Sequence, residues 1–389
     1  MEHIKIEQNS NVEVVDSNII HKLAEEAQDC DASSNMTGNL QTTNAYEDDV
    51  DFLTTKFPGL SINATQGLYL RIADPAVQNI LATNFGDGTG ITKAQAQSLQ
   101  HFNSKFANNT DIETFDELSK FTNITEINSN NRFNSCTNLK SIDLSNITKI
   151  SGSNGYERWN FEFCSNLEDV GDTSNCTYFG YGAFNQCGKL TRGIDLTNAI
   201  HIGDSAFYKC ANLTAIGSIQ NIEHIGSCAF RGCYNIPSFN SLILPNLTGM
   251  LESEAFAECT QIVNVENLGT ITTVGGTGSW DPFMMCANLE TIVVPETVTT
   301  INYLLNYAPK VRWVKMLCNT VPTVPLDHFG MFGESWNPYR DRTGTYIGKT
   351  YPIYVKDSLY NTYLQDSFFS NLASRIRPLS QFATDFPNG

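Results

Sequence analysis

"IGDSAFYKCANLTAI" (residues 202–216) contains the pattern that decides the fold, and nearly the same stretch returns at residues 225–239 as "IGSCAFRGCYNIPSF". Both stretches place an Ala-Phe pair shortly before a cysteine and an aliphatic residue three positions after it. When an apolar stretch recurs along a chain, the fold must bury the apolar residues of each copy. The two stretches therefore indicate a repeated structural unit rather than two unrelated core segments.

The Phe-x-x-Cys pattern occurs seven times, and the steps between successive cysteines are 28, 23, 23, 23, 26 and 27 residues. An aliphatic residue follows each cysteine by three positions, and the apolar character usually continues three positions later, except at Gly193. Such a period predicts a solenoid, in which each coil buries its apolar face against its neighbours. The predicted core pairs are Phe133/Cys136, Phe161/Cys164, Phe184/Cys187, Phe207/Cys210, Phe230/Cys233, Phe256/Cys259 and Phe283/Cys286.

Each coil is predicted to contain one short strand and one tight turn. Residues 213–219, "LTAIGSI", alternate as a strand does, whereas residues 204–210, "DSAFYKC", have the closer apolar spacing of a helical or 3-10 turn. Because parallel strands of successive coils lie about 4.8 Å apart, we expect Phe207 to stack between Phe184 and Phe230.

The seven in-phase cysteines are expected to be free thiols that pack as small apolar side chains. A ladder of metal ligands or disulfide pairs is the alternative, although the closely spaced Cys-x-x-Cys pairs of zinc sites are missing. Cys30, Cys176, Cys228 and Cys318 lie outside the phase and have no obvious partners.

These residues resemble the BspA-like leucine-rich repeat, which is common in surface proteins of gut anaerobes and also occurs in phages of those bacteria. The stretch "VKMLCNTVPTVP" and the later "YPIYVKDSLYNTYLQDSFFSNLASRIRPL" resemble the family's terminal cap, a Tyr-Val strand followed by a short helix and an Ile-x-Pro ending. The resemblance covers residues 122–383. It implies an α/β solenoid with short parallel strands over 122–316, followed by a long loop and a strand-helix cap over 317–389.

Three coils depart from the family's Ala-Phe pair. Residues 132–133, 160–161 and 282–283 are Arg-Phe, Asn-Phe and Pro-Phe. We expect these coils to be irregular.

Residues 67–121 resemble a small helical module that precedes the repeat in this family and carries a calcium-type loop. Such a loop needs carboxylates at alternate positions and a bidentate Glu at the twelfth. Counted from Asn84, the fifth position is Gly88 and the twelfth is Gln95, so most of the charge is missing. The alternative to a cation site between Asn84 and Gln95 is a glycine-rich turn into a helix capped by Thr92.

Residues 1–66 are predicted to form an N-terminal helical attachment segment. Ile19, Ile20, Leu23 and Ala27 share one helical face, and a second apolar group lies in "NAYEDDVDFLTTKFPGL". The intervening "DASSNMTGNLQTTN" (31–44) is interpreted as a polar linker. Because two short helices make no stable core alone, we expect the segment to dock on another structure; it also resembles, more weakly, anchor regions of structural proteins in tailed phages of gut bacteria.

The net charge of −17 argues against a nucleic-acid partner, which requires clustered Lys and Arg. The sequence contains no run of eighteen apolar residues, so we expect no membrane insertion. The start lacks a basic region followed by an apolar run, so no signal peptide is predicted.

No catalytic constellation emerges, and the sequence predicts no enzyme, cofactor or metal site. "GTYIGKT" (344–350) has too few residues between its glycines for a phosphate loop, and "YPIYV" after it has the pattern of a strand. His201 and His224 share one repeat phase, which indicates either a stacked metal pair or, as we favour, partly exposed repeat positions.

Insertions into repeats often form the binding face. The candidate binding residues are the loop aromatics Tyr156, Trp159, Trp280, Trp336 and Tyr339. We predict a non-enzymatic virion protein, a head- or tail-fibre-like appendage of a phage. In this prediction the N-terminal segment binds other virion proteins, the repeats contact a host surface glycan or protein, and the chain forms a homo-oligomer. A bacterial cell-surface adhesin or binding module of the same family is the alternative.

Overall fold

The structure is a computed structural model that describes residues 13–14, 17–28, 37–42, 45–64, 67–151, 160–276, 280–305, 308–325 and 351–387. The chain divides into two compact units. The first unit comprises Met1–Lys105 with Thr114–Ile124, and the second comprises Phe106–Glu113 with Thr125–Gly389.

The described part of the first unit contains short parallel strands and four helices. The elements are β1 (Glu13–Val14), α1 (Ser17–Gln28), β2 (Thr37–Thr42), β3 (Ala45–Tyr46), α2 (Glu47–Lys56), β4 (Gly59–Ala64), β5 (Leu68–Tyr69), α3 (Pro75–Phe85), α4 (Lys93–Ser98), β6 (Thr114–Phe115) and a 3-10 turn at Leu118–Lys120. Strands β1, β2 and β4 form one parallel sheet, and β3 pairs with β5 in parallel. Leu40 lies opposite Ile62 and Ala45 opposite Leu68, so this unit also advances by about one repeat length between paired strands.

The predicted linker over 31–44 is wrong at its centre, because Thr37–Thr42 is strand β2 and pairs with β4 over six residues. Leu40 is the single large apolar residue of this strand. Because its neighbours are polar, the sequence pattern gave no indication of a strand here. Leu40 and Leu60 from the strands pack with Ile20 of α1 and Leu53 of α2 in one buried cluster. The strands thus supply apolar surface that the two helices lack, and the segment has a core of its own.

The glycine-rich stretch after α3 leads into α4 as predicted. The Asp74 side chain accepts hydrogen bonds from the N–H groups of Ala76 and Val77 and caps α3, which begins with Pro75. At the start of α4, the side chain of Thr92 accepts a hydrogen bond from the N–H of Gln95, and the side chain of Gln95 accepts one from the N–H of Thr92. The prediction of a turn into a helix capped by Thr92 is confirmed.

The second unit is a stack of coils with very short parallel strands. The strands are β7 (Glu126–Ile127), β8 (Ser141–Ile142), β9 (Lys149–Ile150), β10 (Tyr178–Phe179), β11 (His201–Ile202), β12 (His224–Ile225), β13 (Ser241–Ile243), β14 (Thr248–Leu251), β15 (Asn264–Asn267), β16 (Thr270–Val274), β17 (Thr291–Val294), β18 (Thr300–Ile301), β19 (Trp313–Met316), β20 (Ile353–Val355) and β21 (Ile376–Pro378). The helices are α5 (Tyr360–Gln365) and α6 (Phe382–Asp385), with 3-10 turns at Pro237–Phe239, Asp357–Leu359, Phe369–Leu372 and Leu379–Gln381.

These strands form two sets of parallel ladders, one on each side of the Phe-x-x-Cys turn. The upstream ladder, before each turn, contains β7, β9, β10, β11 and β12 in one sheet and β14, β16 and β18 in another. The downstream ladder, after each turn, contains β13, β15, β17, β19, β20 and β21. Within these ladders the described strands pair in parallel, and with the buried apolar rows they confirm the predicted α/β solenoid.

The strand predicted in "LTAIGSI" is wrong for its own coil, because residues 213–219 form no regular strand. The equivalent residues do form strands in later coils, at β15 and β17. In the central coils the regular pairing lies instead at the His-Ile dipeptides of β11 and β12. A strand of two residues is too short to show an alternation of apolar and polar residues. The sequence pattern alone therefore cannot distinguish it from the residues on either side.

The C-terminal cap follows the predicted order. Tyr354 and Val355 lie in β20, the short helix α5 follows, and Ile376–Pro378 forms β21, which pairs with β20. Gly193, which breaks the apolar pattern, has a φ of 89°, and a Cβ there would lie 2.6 Å from the carbonyl oxygen of Gly171. A side chain at this position would therefore clash with the neighbouring coil.

Candidate binding surface

The interior of the second unit is a continuous row of phenylalanine rings and thiols. All fourteen residues of the Phe-x-x-Cys pairs have no solvent exposure. Phe207 stacks on Phe184 with ring centroids 5.7 Å apart and on Phe230 at 5.4 Å. The repeated apolar residues are therefore buried in the core. Only side chains that point towards solvent are left to form a binding surface.

Each in-phase thiol donates to the carbonyl oxygen of the phenylalanine in the preceding coil. Cys210 Sγ lies 3.2 Å from the Phe184 oxygen, and Cys233 Sγ lies 3.1 Å from the Phe207 oxygen. Burial raises the pKa of the Cys136 thiol to about 11 and raises the pKa of Cys210 as well. The cysteines in the described part of the chain form no disulfides. Burial keeps the seven in-phase thiols protonated, so they act as neutral hydrogen-bond donors.

The three coils without an Ala-Phe pair are regular at this turn, so the expectation of irregularity is wrong there. Phe133, Phe161 and Phe283 stack in the same row as the others, with neighbouring centroids 5.1–6.0 Å apart. The N–H of Phe133 bonds to the Asn160 carbonyl just as Phe207 bonds to Ala229. The residue before each phenylalanine contributes its backbone, which explains why its side chain can vary.

The outward positions of the upstream ladder form a row of large polar side chains on five consecutive paired strands. We call this row the ring stripe; it consists of Glu126, Lys149, Tyr178, His201 and His224, which lie opposite one another in register. The Tyr178 and His201 rings are nearly parallel with centroids 4.3 Å apart, and His201 and His224 are 4.5 Å apart. Lys149 Nζ lies 5.1 Å from the Tyr178 centroid and 3.7 Å from Glu126 Oε1.

The imidazole of His201 is neutral near pH 7. Burial, and then the neighbouring His224, lower the pKa of His201 to about 4, against a smaller opposite effect of Asp204. A neutral imidazole has one donor and one acceptor nitrogen. Within the described residues, neither imidazole has a hydrogen-bond partner, and the same holds for the Tyr178 hydroxyl. The stripe can therefore form hydrogen bonds with a ligand.

Sequence reasoning found only part of the ring stripe. His201 and His224 were recognised by their shared phase, and the structure places them as a stacked, partly exposed pair. The other three members, Glu126, Lys149 and Tyr178, were missed, although each directly precedes a buried residue of the same phase. That shared phase is the signal that could have found them.

The loop aromatics predicted to bind a partner are mostly outside the described residues. Tyr156, Trp159, Trp336 and Tyr339 lie there, as does "GTYIGKT". Trp280 is described and is half exposed, at 50%. Its neighbour Asp281 is fully buried and accepts a hydrogen bond from the N–H of Phe283, which fixes the turn beside Trp280.

In the degenerate loop between Asn84 and Gln95, the carboxylate of Asp87 accepts hydrogen bonds from neighbouring protein groups. Asp87 accepts a hydrogen bond from the Tyr69 hydroxyl and others from the N–H groups of Thr89 and Gly90, at 2.9 and 3.1 Å. These bonds, that of Tyr69 first, lower the pKa of Asp87. In the described part of the chain, no three His, Cys, Asp or Glu side chains are grouped as a metal site requires.

Among the residues that the structure describes, no helix combines the length and the apolar character that crossing a bilayer requires.

Stacked coils with paired parallel strands and one buried aliphatic row define a leucine-rich repeat protein. The family model described as "BspA type Leucine rich repeat region" matches residues 74–191 and 183–308, with six copies. This match covers more than half of the sequence, and the chain belongs to the BspA-type leucine-rich repeat family. A search of curated proteins finds no match.

Three solved bacterial structures are similar in part. A leucine-rich repeat protein from Bacteroides ovatus ATCC 8483 is 18% identical with a TM-score of 0.38, and the match covers 57% of this chain and 56% of that one. A leucine rich cell surface protein from Faecalibacterium prausnitzii A2-165 is 17% identical, covering 56% of this chain and 81% of that one with a TM-score of 0.25. The pneumococcal vaccine antigen PcpA is 14% identical with a TM-score of 0.24, and the match covers 66% of this chain and 76% of that one.

Proposed function

We propose that this protein is a non-enzymatic binding module that acts at a bacterial cell surface, with the ring stripe as its contact surface. The family membership supports a binding role, because BspA-type repeats belong to no catalytic family. It also favours the bacterial surface over the virion, because this repeat family is common in surface proteins of gut anaerobes. The phage-fibre role, the homo-oligomer and the docking of the N-terminal segment on virion proteins remain predictions without support.

The observation that carries the proposal is the composition of the ring stripe. The inward neighbours Ile150, Phe179, Ile202 and Ile225 supply the core, so the fold makes no demand on the outward side chains. Further along the upstream ladder the paired outward residues are Met250, Thr273 and Thr300, which are neither charged nor aromatic. Lys, Tyr and His are thus additional to what the repeat needs, and aromatic residues with a polar edge are typical of contact surfaces.

The experiment compares binding of the purified chain and its variants to immobilised cell-surface extracts. Replacing Tyr178 and His201 by Ala together should weaken binding at least about ten-fold, the effect of losing a dominant contact. Thr300→Ala is the matched control, since Thr300 occupies the same outward row in a later coil. Equal binding by all three proteins would show that the contact surface lies elsewhere.

Location is tested separately on cells that produce the protein. An external protease added to intact cells should remove the chain, while a cytoplasmic marker survives. Survival of the chain under these conditions would contradict a surface location.

A further inference from the structure

The ring stripe has the periodicity of an extended polymer. Its rings repeat every 4.3–4.5 Å, and one polar edge is contributed by each coil. Adjacent strands lie roughly 4.8 Å apart, which is of the same order as the advance per sugar of an extended β-linked polysaccharide. A linear glycan lying across the coils would therefore present one sugar to each side chain of the stripe.

The hydrogen-bonding chemistry of the stripe matches hydroxyl groups. Tyr178 carries a hydroxyl, and His201 and His224 are imidazoles, so each side chain can donate and accept. The rings are stacked face to face, so their faces are occupied by one another and their polar edges remain for a ligand. Sugar hydroxyls also donate and accept, which makes them suitable partners for a row of such groups.

The charge around the stripe disfavours a charged polymer. Lys149 is paired with Glu126, and the imidazole of His201 lies close enough to Asp204 to interact with it electrostatically. Glu252 also interacts with His224, and the whole chain carries a net charge of −17. An anionic glycan or a nucleic acid would meet this negative field, whereas a neutral glycan would not.

We propose that the ring stripe binds a neutral, extended polysaccharide, with one sugar for each coil. This inference rests on the proposed function, since it assumes that the stripe is the contact surface. Many weak hydrogen bonds, one set per coil, give an affinity that grows with the length of the glycan. A protein partner would not produce that dependence.

The test uses native gel electrophoresis through gels that contain a β-1,4-glucan, a xylan or a mannan, followed by calorimetry with oligosaccharides of the polymer that retards the protein. The full chain should be retarded by at least one of them. Its affinity should rise with chain length and level off at about five sugars, the number of coils in the stripe. Tyr178→Ala with His201→Ala should abolish the retardation, and Thr300→Ala should leave it unchanged.

Tyr178→Phe keeps the stacked ring and removes only the hydroxyl, so it tests the contact even if the double variant is unstable. It should weaken oligosaccharide binding about three-fold or more, the loss of one hydrogen bond. No retardation by any neutral polysaccharide overturns the glycan assignment. If binding to cell-surface extracts still depends on the stripe, the proposed function stands and the partner is a protein; if it does not, both fail.

Discussion

Each in-phase cysteine fills an apolar position and also satisfies a backbone group. The Phe184 carbonyl accepts from the Cys187 N–H at 3.1 Å within its own coil and from the Cys210 thiol at 3.2 Å in the next. The thiol is therefore a hydrogen-bonded link between coils as well as a small side chain. This double role explains why cysteine, rather than alanine or valine, recurs at a position without solvent exposure.

Substitutions at Cys210 separate the two roles. Cys210→Ala should lower the free energy of unfolding by about 1–2 kcal/mol, because it removes buried volume and a donor. Cys210→Ser keeps a donor and should cost no more than Ala, whereas a purely apolar site would penalise the hydroxyl more. Guanidinium denaturation measures both, with exposed Lys189→Ala as a control expected within about 0.5 kcal/mol of wild type. A Ser variant clearly less stable than the Ala variant would contradict the hydrogen-bonding role.

Glu162 is a half-buried carboxyl group in a row of amides. The residues that follow the core phenylalanine in three successive coils are Asn134, Glu162 and Asn185. Asn185 Nδ2 donates to Glu162 Oε1 at 3.2 Å, while Asn134 Nδ2 donates to Asn108 at 3.2 Å and leaves its own Oδ1 buried without a donor among the described residues. Burial raises the pKa of Glu162 to about 7, against a smaller effect of Asn185.

The protonated Glu162 should therefore stabilise the fold at low pH. Because the folded carboxyl group holds its proton more tightly than the unfolded one, its contribution is complete below about pH 4.5 and is lost as pH rises towards 7. Glu162→Gln is neutral at every pH and carries an N–H donor in place of the proton. We expect this variant to be more stable than wild type at pH 8 by about 1 kcal/mol, after allowing for partial exposure, and equal to it at pH 4.

Thermal unfolding from pH 4 to 8 measures this difference. The exposed Glu168→Gln in the same coil is the control and should follow the wild-type curve at every pH. A parallel shift of the Glu162→Gln curve, with the same gain at pH 4 and pH 8, would show that the carboxyl proton has no part in the effect.

At the scale of the element, every Phe-x-x-Cys turn bends through a left-handed residue immediately before the cysteine. The φ values lie between 58° and 64° for six side chains that are not glycine, and the seventh residue is Gly232 with 77°. The six are Ser135, Phe163, Gln186, Lys209, Glu258 and Met285. The N–H of Phe163 bonds to the Asn185 carbonyl of the next coil at 3.0 Å. The hydrogen bonds between coils thus hold the turn in a conformation that L-residues disfavour.

Glycine substitutions test how much this backbone conformation costs. Phe163→Gly should be more stable than Phe163→Ala by about 1 kcal/mol, because only glycine adopts a positive φ without strain. Conversely, Gly232→Ala should lose about 1 kcal/mol, although a Cβ there meets only ordinary contacts at 3.4 Å or more. Chemical denaturation measures both. Gly188→Ala is the control, since Gly188 lies outside the positive-φ positions; an equal loss at both glycines would argue against backbone strain.

The sequence predicted the repeat, the inward rows and the cap because these depend on local period. It did not predict where strands would pair, since pairing depends on register between coils and β11 is only two residues long. It missed β2 because Leu40 is the strand's one large apolar residue. It also missed Tyr178 in the ring stripe and the amides around Glu162, whose importance comes from contacts with residues about 23 positions away.

At the scale of the whole molecule, the second unit behaves as a one-dimensional array. Each coil contacts its neighbours through the phenylalanine stack, the thiol-carbonyl bonds and the ladders, so removing one coil exposes the next. Each in-phase thiol is buried between the coils before and after it. Its accessibility to a reagent therefore measures whether these coils remain packed together. The ring stripe, which spans five coils, is therefore held rigid only while the array is intact.

Alkylation with a bulky maleimide tests this coupling directly. In native buffer the seven in-phase thiols should remain unlabelled, because they have no solvent exposure and burial holds them protonated. In increasing guanidinium they should become labelled over one concentration range, which coincides with the loss of circular dichroism. Peptide mass spectrometry follows each cysteine, and Lys189→Cys supplies an exposed thiol that reacts in native buffer. Labelling of Cys187 or Cys210 while the dichroism is unchanged would mean that single coils open independently, and the ring stripe would then lack the rigid support on which its spacing depends.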